Sequence, residues 1–196
     1  MKSLIVKLHG TSGSGKTTVA RELMQGGHVV PVLNPANRKV ESYILTRPEL
    51  KGIIAILGPY TATCGGLDSI SNVNTHIELL MSWGQAGHVF YEGLLGSEYY
   101  GRIGAASEQF GDRHLFAFLD TPIDLCVERV KARRLAKGNT KPLNEDNTRG
   151  RVAKIERLRY RLENEFHRPT VTIDHERAAE QVLELYIKAE RQNDTV

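Results

Sequence analysis

Residues 10–17 read Gly10-Thr11-Ser12-Gly13-Ser14-Gly15-Lys16-Thr17, a match to G-x-x-x-x-G-K-[ST] at every fixed position, and this stretch decides the fold. Immediately before it, Leu4-Ile5-Val6-Lys7-Leu8 is the short, mostly apolar and β-branched run that a buried strand requires. After it, Lys16 to Gln25 contains neither Gly nor Pro and reads as a helix. A loop that joins a strand to a helix in this way suits an anion. Its glycines let the backbone wrap a phosphate, while the N–H groups and the helix N-terminus supply positive potential. In that reading Gly10 to Thr18 cradle the phosphates of ATP and Lys16 reaches the β- and γ-phosphates. Thr17 offers its hydroxyl to Mg²⁺, a cation that takes oxygen ligands.

Working outward, 196 residues suit one domain spanning 1–196, with room for a small lid. Hydrophobic residues at 40% and charged ones at 25% exclude a disordered chain. Apolar runs such as Ile53 to Leu57 fall far short of the ~20 residues of a membrane span, so no membrane partner is expected. Met1-Lys2-Ser3 leads directly into the first strand, which leaves no space for a signal peptide and predicts a cytoplasmic protein. Cys64 and Cys126 are far apart, with no spacing that suggests a disulfide framework, a zinc site or a metal cluster. Charge is uneven: Arg129 to Arg168 holds thirteen Lys/Arg against five Asp/Glu, while the rest of the chain is net acidic. Such a stretch faces polyanions, unless its arginines are absorbed in i,i+4 pairs along a helix.

Along the chain, His28 to Leu33 reads as a strand ended by Asn34-Pro35, and residues 36–51 carry scattered basic groups with no assignable pattern. Ile53 to Leu57 is a buried strand that runs into Gly58-Pro59-Tyr60-Thr61-Ala62-Thr63-Cys64-Gly65-Gly66-Leu67-Asp68. In an open parallel α/β sheet, ligands lie beyond the carboxyl ends of the strands, so this loop is a candidate substrate site. Gly65 and Gly66 would permit close backbone approach, Tyr60 would offer a stacking face, and Asp68 would orient or deprotonate a hydroxyl. The alternative is a plain turn in which Asp68 caps the next helix.

A helix over Asn74 to Gln85 follows, with Trp83 assigned to the core, and then the strand His88 to Gly93. Glu92 at its carboxyl end is the candidate second ligand of Mg²⁺. Gly96 to Phe110 reads as a helix with Tyr99, Tyr100 and Arg102 near the mouth of the site. The strand His114 to Leu119 leads into a helix from Pro122 to about Lys137, capped by Thr121. Gly138 to Gly150 reads as a loop that closes over phosphates, followed by a basic helix, Arg151 to Phe166. The strand Thr170 to Asp174 and the helix Glu176 to Arg191 complete an alternation of strands and helices that predicts a doubly wound parallel sheet flanked by helices, with a basic helical lid at about 129–165.

Size and the lack of an Asn-Lys-x-Asp segment favour a small kinase over a GTPase or a motor. In such an enzyme Lys16, Mg²⁺ and the arginines Arg129, Arg133 and Arg134 would neutralise the moving phosphoryl group, with Asp68 on the acceptor. Gly10 to Thr18, Glu92, and Leu119-Asp120-Thr121-Pro122 followed by Cys126, Arg129 and Arg133-Arg134 resemble the nucleotide-kinase and polynucleotide-kinase branch of P-loop proteins. The resemblance covers nearly the whole chain. The stretch Gly58-x-Tyr60-x-x-x-Cys64-Gly65-Gly66-x-Asp68 is similar to one in phage-encoded P-loop kinases, among them the 5-hydroxymethyluracil DNA kinases of thymidine hypermodification. That resemblance implies transfer of the γ-phosphate of ATP to a hydroxymethyl group on a base already in DNA, and so DNA with modified thymine bases as partner. A basic segment that tracks a DNA backbone agrees with it, as would aromatic groups that stack on an unstacked base. Two other readings stand beside it: a kinase of free nucleosides or nucleotides, and a non-catalytic ATP-binding module.

Overall fold

A computed structural model of the chain describes residues 3–93 and 100–193. The strands are β1 (Ile5–His9), β2 (His28–Leu33), β3 (Val40–Thr46), β4 (Ile54–Leu57), β5 (His88–Glu92), β6 (His114–Leu119) and β7 (Thr170–Ile173). The helices are α1 (Lys16–Gln25), α2 (Val73–Ala86), α3 (Gly101–Ser107), α4 (Ile123–Ala136), α5 (Asp146–Asn164) and α6 (Ala178–Asn193). One sheet runs in the order β2-β3-β4-β5-β1-β6-β7. Every residue of β1, β4 and β5 is buried, as strands covered on both faces must be, and β4, β5, β1, β6 and β7 pair in parallel.

The expected all-parallel sheet is corrected at one edge. β3 lies within the unassigned residues 36–51 and pairs antiparallel with both β2 and β4. The connection from Leu33 to Val40 is too short for a crossover, which needs a dozen or more residues, so these strands form a hairpin. Its turn is held by the Asn34 side chain, which accepts from the N–H groups of Ala36 and Asn37. Pro31 is tolerated because β2 is the outermost strand, where a missing donor leaves no ladder bond unmade.

Helices cover both faces. Val6, Leu8, Ile54, Ile56 and Phe90 pack under α1 and α6, while Ile5, Ala55, Leu57, Val89 and Tyr91 pack under α2 and Phe110. Trp83 joins the second cluster from a partly buried position. The chain leaves β1 toward the β4 side of the sheet and later crosses to β6 on the other, so the switch in strand order opens a crevice at the carboxyl ends of β1, β5 and β6. Among the described residues no helix is long and apolar enough to cross a membrane.

The expected lid at 129–165 is anchored over its second half. Ile155, Leu158 and Leu162 on α5 bury against Phe116 and Phe118 of β6, so the helix is a flank of the sheet. In that segment the connection from Lys137 to Glu145 and the terminal Glu165 lie outside helices. Leu162 is fully buried. Leu162→Ala is therefore expected to lower unfolding free energy by about 3 kcal/mol in denaturant titrations, and a loss under about 1 kcal/mol would mean that α5 detaches as a lid.

Candidate active site

The glycine-rich loop between β1 and α1 occupies the floor of that crevice. Gly13 has φ +83°, and a Cβ there would stand 2.2 Å from the carbonyl oxygen of Cys126, so only glycine lets α4 close onto the loop. Lys16 Nζ donates to the carbonyls of Gly10 at 2.7 Å and Thr11 at 3.0 Å. The Thr11 hydroxyl donates to the Thr148 carbonyl at 3.0 Å and ties the loop to α5. Thr121, expected as the cap of α4, instead donates its hydroxyl to the Ser14 carbonyl at 2.8 Å, and Pro122 takes the cap position. Ser14 Oγ is buried and finds no hydrogen-bond partner among the described residues.

Beside the loop, the Thr17 hydroxyl donates to Glu92 Oε1 at 2.9 Å. Pairing of Leu8 with Glu92 between β1 and β5 sets this juxtaposition, because both strands end at the same level. Burial raises the Glu92 carboxyl to about 7, against the opposing pull of Lys16 and the Thr17 bond. Burial likewise lowers Lys16 below its ordinary value, opposed by Glu92 and Asp68. A buried carboxylate beside a hydroxyl is a pair of hard oxygen donors whose negative charge is disfavoured by burial. That donor set fits Mg²⁺, which would supply the missing positive charge.

The loop after β4 forms the opposite wall. Gly58 and Gly66 have φ +97° and +80°, and a Cβ on Gly66 would stand 2.7 Å from Glu92 Oε1. Gly66 thus serves packing against Glu92, and Gly65 packs against the Tyr60 ring, so the glycines are explained within the fold. Gly65 also reaches the cavity wall, and Gly66 does not. Tyr60 is corrected outright. It is 6% exposed, its ring sits 6.2 Å from that of Tyr43, and its face is unavailable to a base. Asp68 lies exposed in the 3-10 turn Leu67–Ser69, and Asn72, not Asp68, caps α2 by accepting from the Asn74 N–H. Cys64 is exposed and accepts from Arg133 Nη1 at 3.3 Å across the mouth.

The walls enclose an open cavity of about 1130 Å³ that is lined by Ser12 to Thr18, Cys64, Gly65, Asp68, Glu92, Arg129 and Arg133. Arg134 is not among them, since it donates to Asn139 Oδ1 and the Lys141 carbonyl and braces the loop after α4. Tyr100 stacks on Phe166 with ring centroids 4.2 Å apart, in the core under α5. Tyr99 and the Arg102 side chain lie outside the described residues. Much of the basic segment is paired. Arg149 bonds Asp124 and Glu145, Lys131 bonds Glu145, and Arg159 and Arg161 make i,i+4 pairs with Glu163 and Glu165.

Sequence reasoning missed Arg21, Lys137, His175 and Glu176, all on the cavity wall. His175 and Glu176 follow β7, so the carboxyl-end rule already applied to β4 could have found them. His175 donates its backbone N–H to Asp120 Oδ1 at 2.8 Å. Arg21 binds the carbonyls of Tyr60 and Ala62, fastening α1 to the loop after β4. Lys7 was missed as well: it is 2% exposed in β1, and burial lowers it to about 7 although the Asp68 charge opposes this.

Two outcomes are expected. Gly13→Ala forces a left-handed φ and a collision with α4, so it should lower unfolding free energy by about 2 kcal/mol or more and weaken nucleotide binding in titration calorimetry. The folded chain releases the Lys7 proton near 7 whereas the unfolded chain keeps it to 10.5, so the unfolded state binds more protons in between and the Lys7 contribution to stability rises with pH. Lys7→Met should therefore exceed wild type in denaturant stability most at and below pH 7, with the excess shrinking as pH approaches 10.5.

No family model matches the chain. Two curated relatives do. A protein of Pseudomonas phage PaMx11 named 5-hmdU DNA kinase is 34% identical over 149 residues, covering 75% of this chain and 78% of the relative. One of the same name from Pseudomonas phage M6 is 31% identical over 164 residues, covering 79% and 82%. Identity at this level across most of both chains, on an α/β sheet whose crevice gathers the loop, a buried carboxylate and two arginines, places the chain in the family of phage 5-hmdU DNA kinases.

Proposed function

We propose that this chain transfers the γ-phosphoryl group of ATP to the 5-hydroxymethyl group of hydroxymethyluracil bases in phage DNA. The observation that carries the reading is the meeting of Lys16, Thr17, Glu92, Asp68, Arg129 and Arg133 on one cavity at the carboxyl ends of the strands, in a chain whose relatives are named for this activity. The whole of residues 1–196 would act as one P-loop domain.

In this reading the Gly10–Thr18 backbone amides hold the β- and γ-phosphates and Lys16 turns its Nζ from the Gly10 and Thr11 carbonyls to the transferring group. Thr17 and Glu92 would hold Mg²⁺, which would supply positive charge to the phosphate oxygens when bound. Asp68 accepts the proton of the hydroxymethyl oxygen as that oxygen bonds to the γ-phosphorus, and the bond from the γ-phosphorus to the β–γ bridging oxygen breaks to release ADP. Arg129 and Arg133, on the face of α4 that lines the cavity, stabilise the charge spread over the equatorial oxygens. With Tyr60 buried and Tyr100 stacked in the core, recognition of the base falls to Thr63, Cys64, Gly65 and Asp68 on the cavity wall.

The test offers labelled γ-phosphate with Mg²⁺ to hydroxymethyluracil duplex DNA, to thymine DNA and to free nucleosides and mononucleotides. Label confined to the first is the expected result; label confined to the free acceptors would move the chain to the nucleotide kinases. Lys16→Ala should lose nucleotide binding and transfer together, whereas Asp68→Asn should bind ATP as wild type does and lose transfer by about 10²-fold or more. Wild-type turnover by Asp68→Asn would sink its assignment as base. Binding to DNA should weaken steeply as salt rises, since the cationic wall displaces counterions from several phosphates.

A further inference from the structure

Lys7 is a buried cation to which the phosphoryl-transfer reading gives no task. It occupies the third position of β1 and is 2% exposed. Its register partners are Tyr91 on β5 and Phe116 on β6, members of the two apolar clusters beneath α2 and α5. The lysine stem therefore runs between apolar walls, and Nζ lies 5.8 Å from the centre of the Tyr91 ring. Charge in this layer is scarce. His114, bonded to the Tyr91 hydroxyl at 2.9 Å, is kept neutral by burial, which lowers its pKa far below the ordinary value.

Asp68 lies one pleat further along the same face. Gly93 comes two residues after Tyr91 and so presents its α-carbon on the Tyr91 side of the sheet. A Cβ placed on Gly93 would stand 3.1 Å from Asp68 Oδ1, which puts the carboxylate over this position. Two residues of strand span about 6.7 Å, a distance that an extended lysine side chain covers, and the charge of Asp68 acts on Lys7 directly. The turn that carries Asp68 is only three residues long, whereas Lys7 is rooted in β1, an interior strand paired on both sides.

We propose that Lys7 is a positioning residue for the acceptor side of the site: its amino group holds the Asp68 carboxylate over Gly93, facing the cavity in which phosphoryl group and acceptor hydroxyl meet. The role rests on the assignment of Asp68 as the acceptor-side base. The amino group keeps N–H donors in either protonation state, and its ammonium form adds attraction between opposite charges. Gly93 suits the arrangement, because a Cβ there would press on the Asp68 carboxylate at 3.1 Å and push it aside.

The test is a double-mutant cycle on labelled phosphate transfer, with melting temperature and the KM for ATP measured alongside. Lys7→Met keeps the stem and removes the amino group. It is expected to lower kcat by roughly tenfold in the wild-type background and less than about twofold in the Asp68→Asn background, with the KM for ATP unchanged. Lys7→Gln, which retains an N–H donor, should keep more of kcat than Lys7→Met at equal melting temperature. Equal losses from Lys7→Met in both backgrounds, or equal losses from Met and Gln, would reduce Lys7 to a core residue and overturn the proposal. Wild-type kcat in Lys7→Met beside an impaired Asp68→Asn overturns the Lys7 role and leaves the base assignment standing. Wild-type kcat in Asp68→Asn itself overturns both.

Discussion

The hydrogen bond between the Thr17 hydroxyl and Glu92 joins the first turn of α1 to the end of β5, and the rest of the site is arranged around it. It depends on a register: Leu8 of β1 stands opposite Glu92, so the strand that feeds the glycine-rich loop and the strand that carries the carboxylate end at one level. Burial at that point disfavours both the negative charge of Glu92 and the positive charge of Lys16. In the proposed function, a site held in this state would gain most from a ligand that brings both signs, a metal-bound polyphosphate. The packing of Gly66 against Glu92 extends the constraint to the loop after β4, which keeps that wall of the cavity beside the glycine-rich loop.

Around this centre the cationic groups divide by geometry. Arg129 and Arg133 project from α4 into the cavity, while Arg149, Arg159 and Arg161 are engaged with carboxylates on the outer surface. Exposed pairs of that kind contribute little to stability, but they remove charge from the face that a count of lysines and arginines assigns to a polyanion. Of the basic residues of 129–168, Arg129, Arg133 and Lys137 are the ones that line the cavity. α5, which supplies much of that count, is packed on the sheet through Ile155, Leu158 and Leu162.

Much of this molecule was legible in one dimension. The glycine-rich loop, the strands over residues 5–9, 54–57, 88–92 and 114–119 and the alternation of strand with helix follow from local pattern, because steric rules for glycine and the burial of parallel strands act within a few residues. Lys16 and Thr17 came into view through the spacing of the glycine-rich motif, and Asp68 and Glu92 because each stands at the end of a strand or in the loop that follows one. The relation among them belongs to tertiary structure: pairing of β1 with β5 makes Thr17 and Glu92 neighbours, and the approach of α4 to Gly13 brings Arg129 and Arg133 over the loop and leaves Arg134 outside. Tertiary packing also decided that Tyr60 faces the core and that β3 turns back against β4. It made Lys7, an ordinary polar interruption in an apolar strand by sequence, a buried amine that feels the charge of Asp68. Local sterics select elements; which side chains share a cavity depends on register and on the faces that long-range contacts bury, and neither is encoded within a window of a few residues.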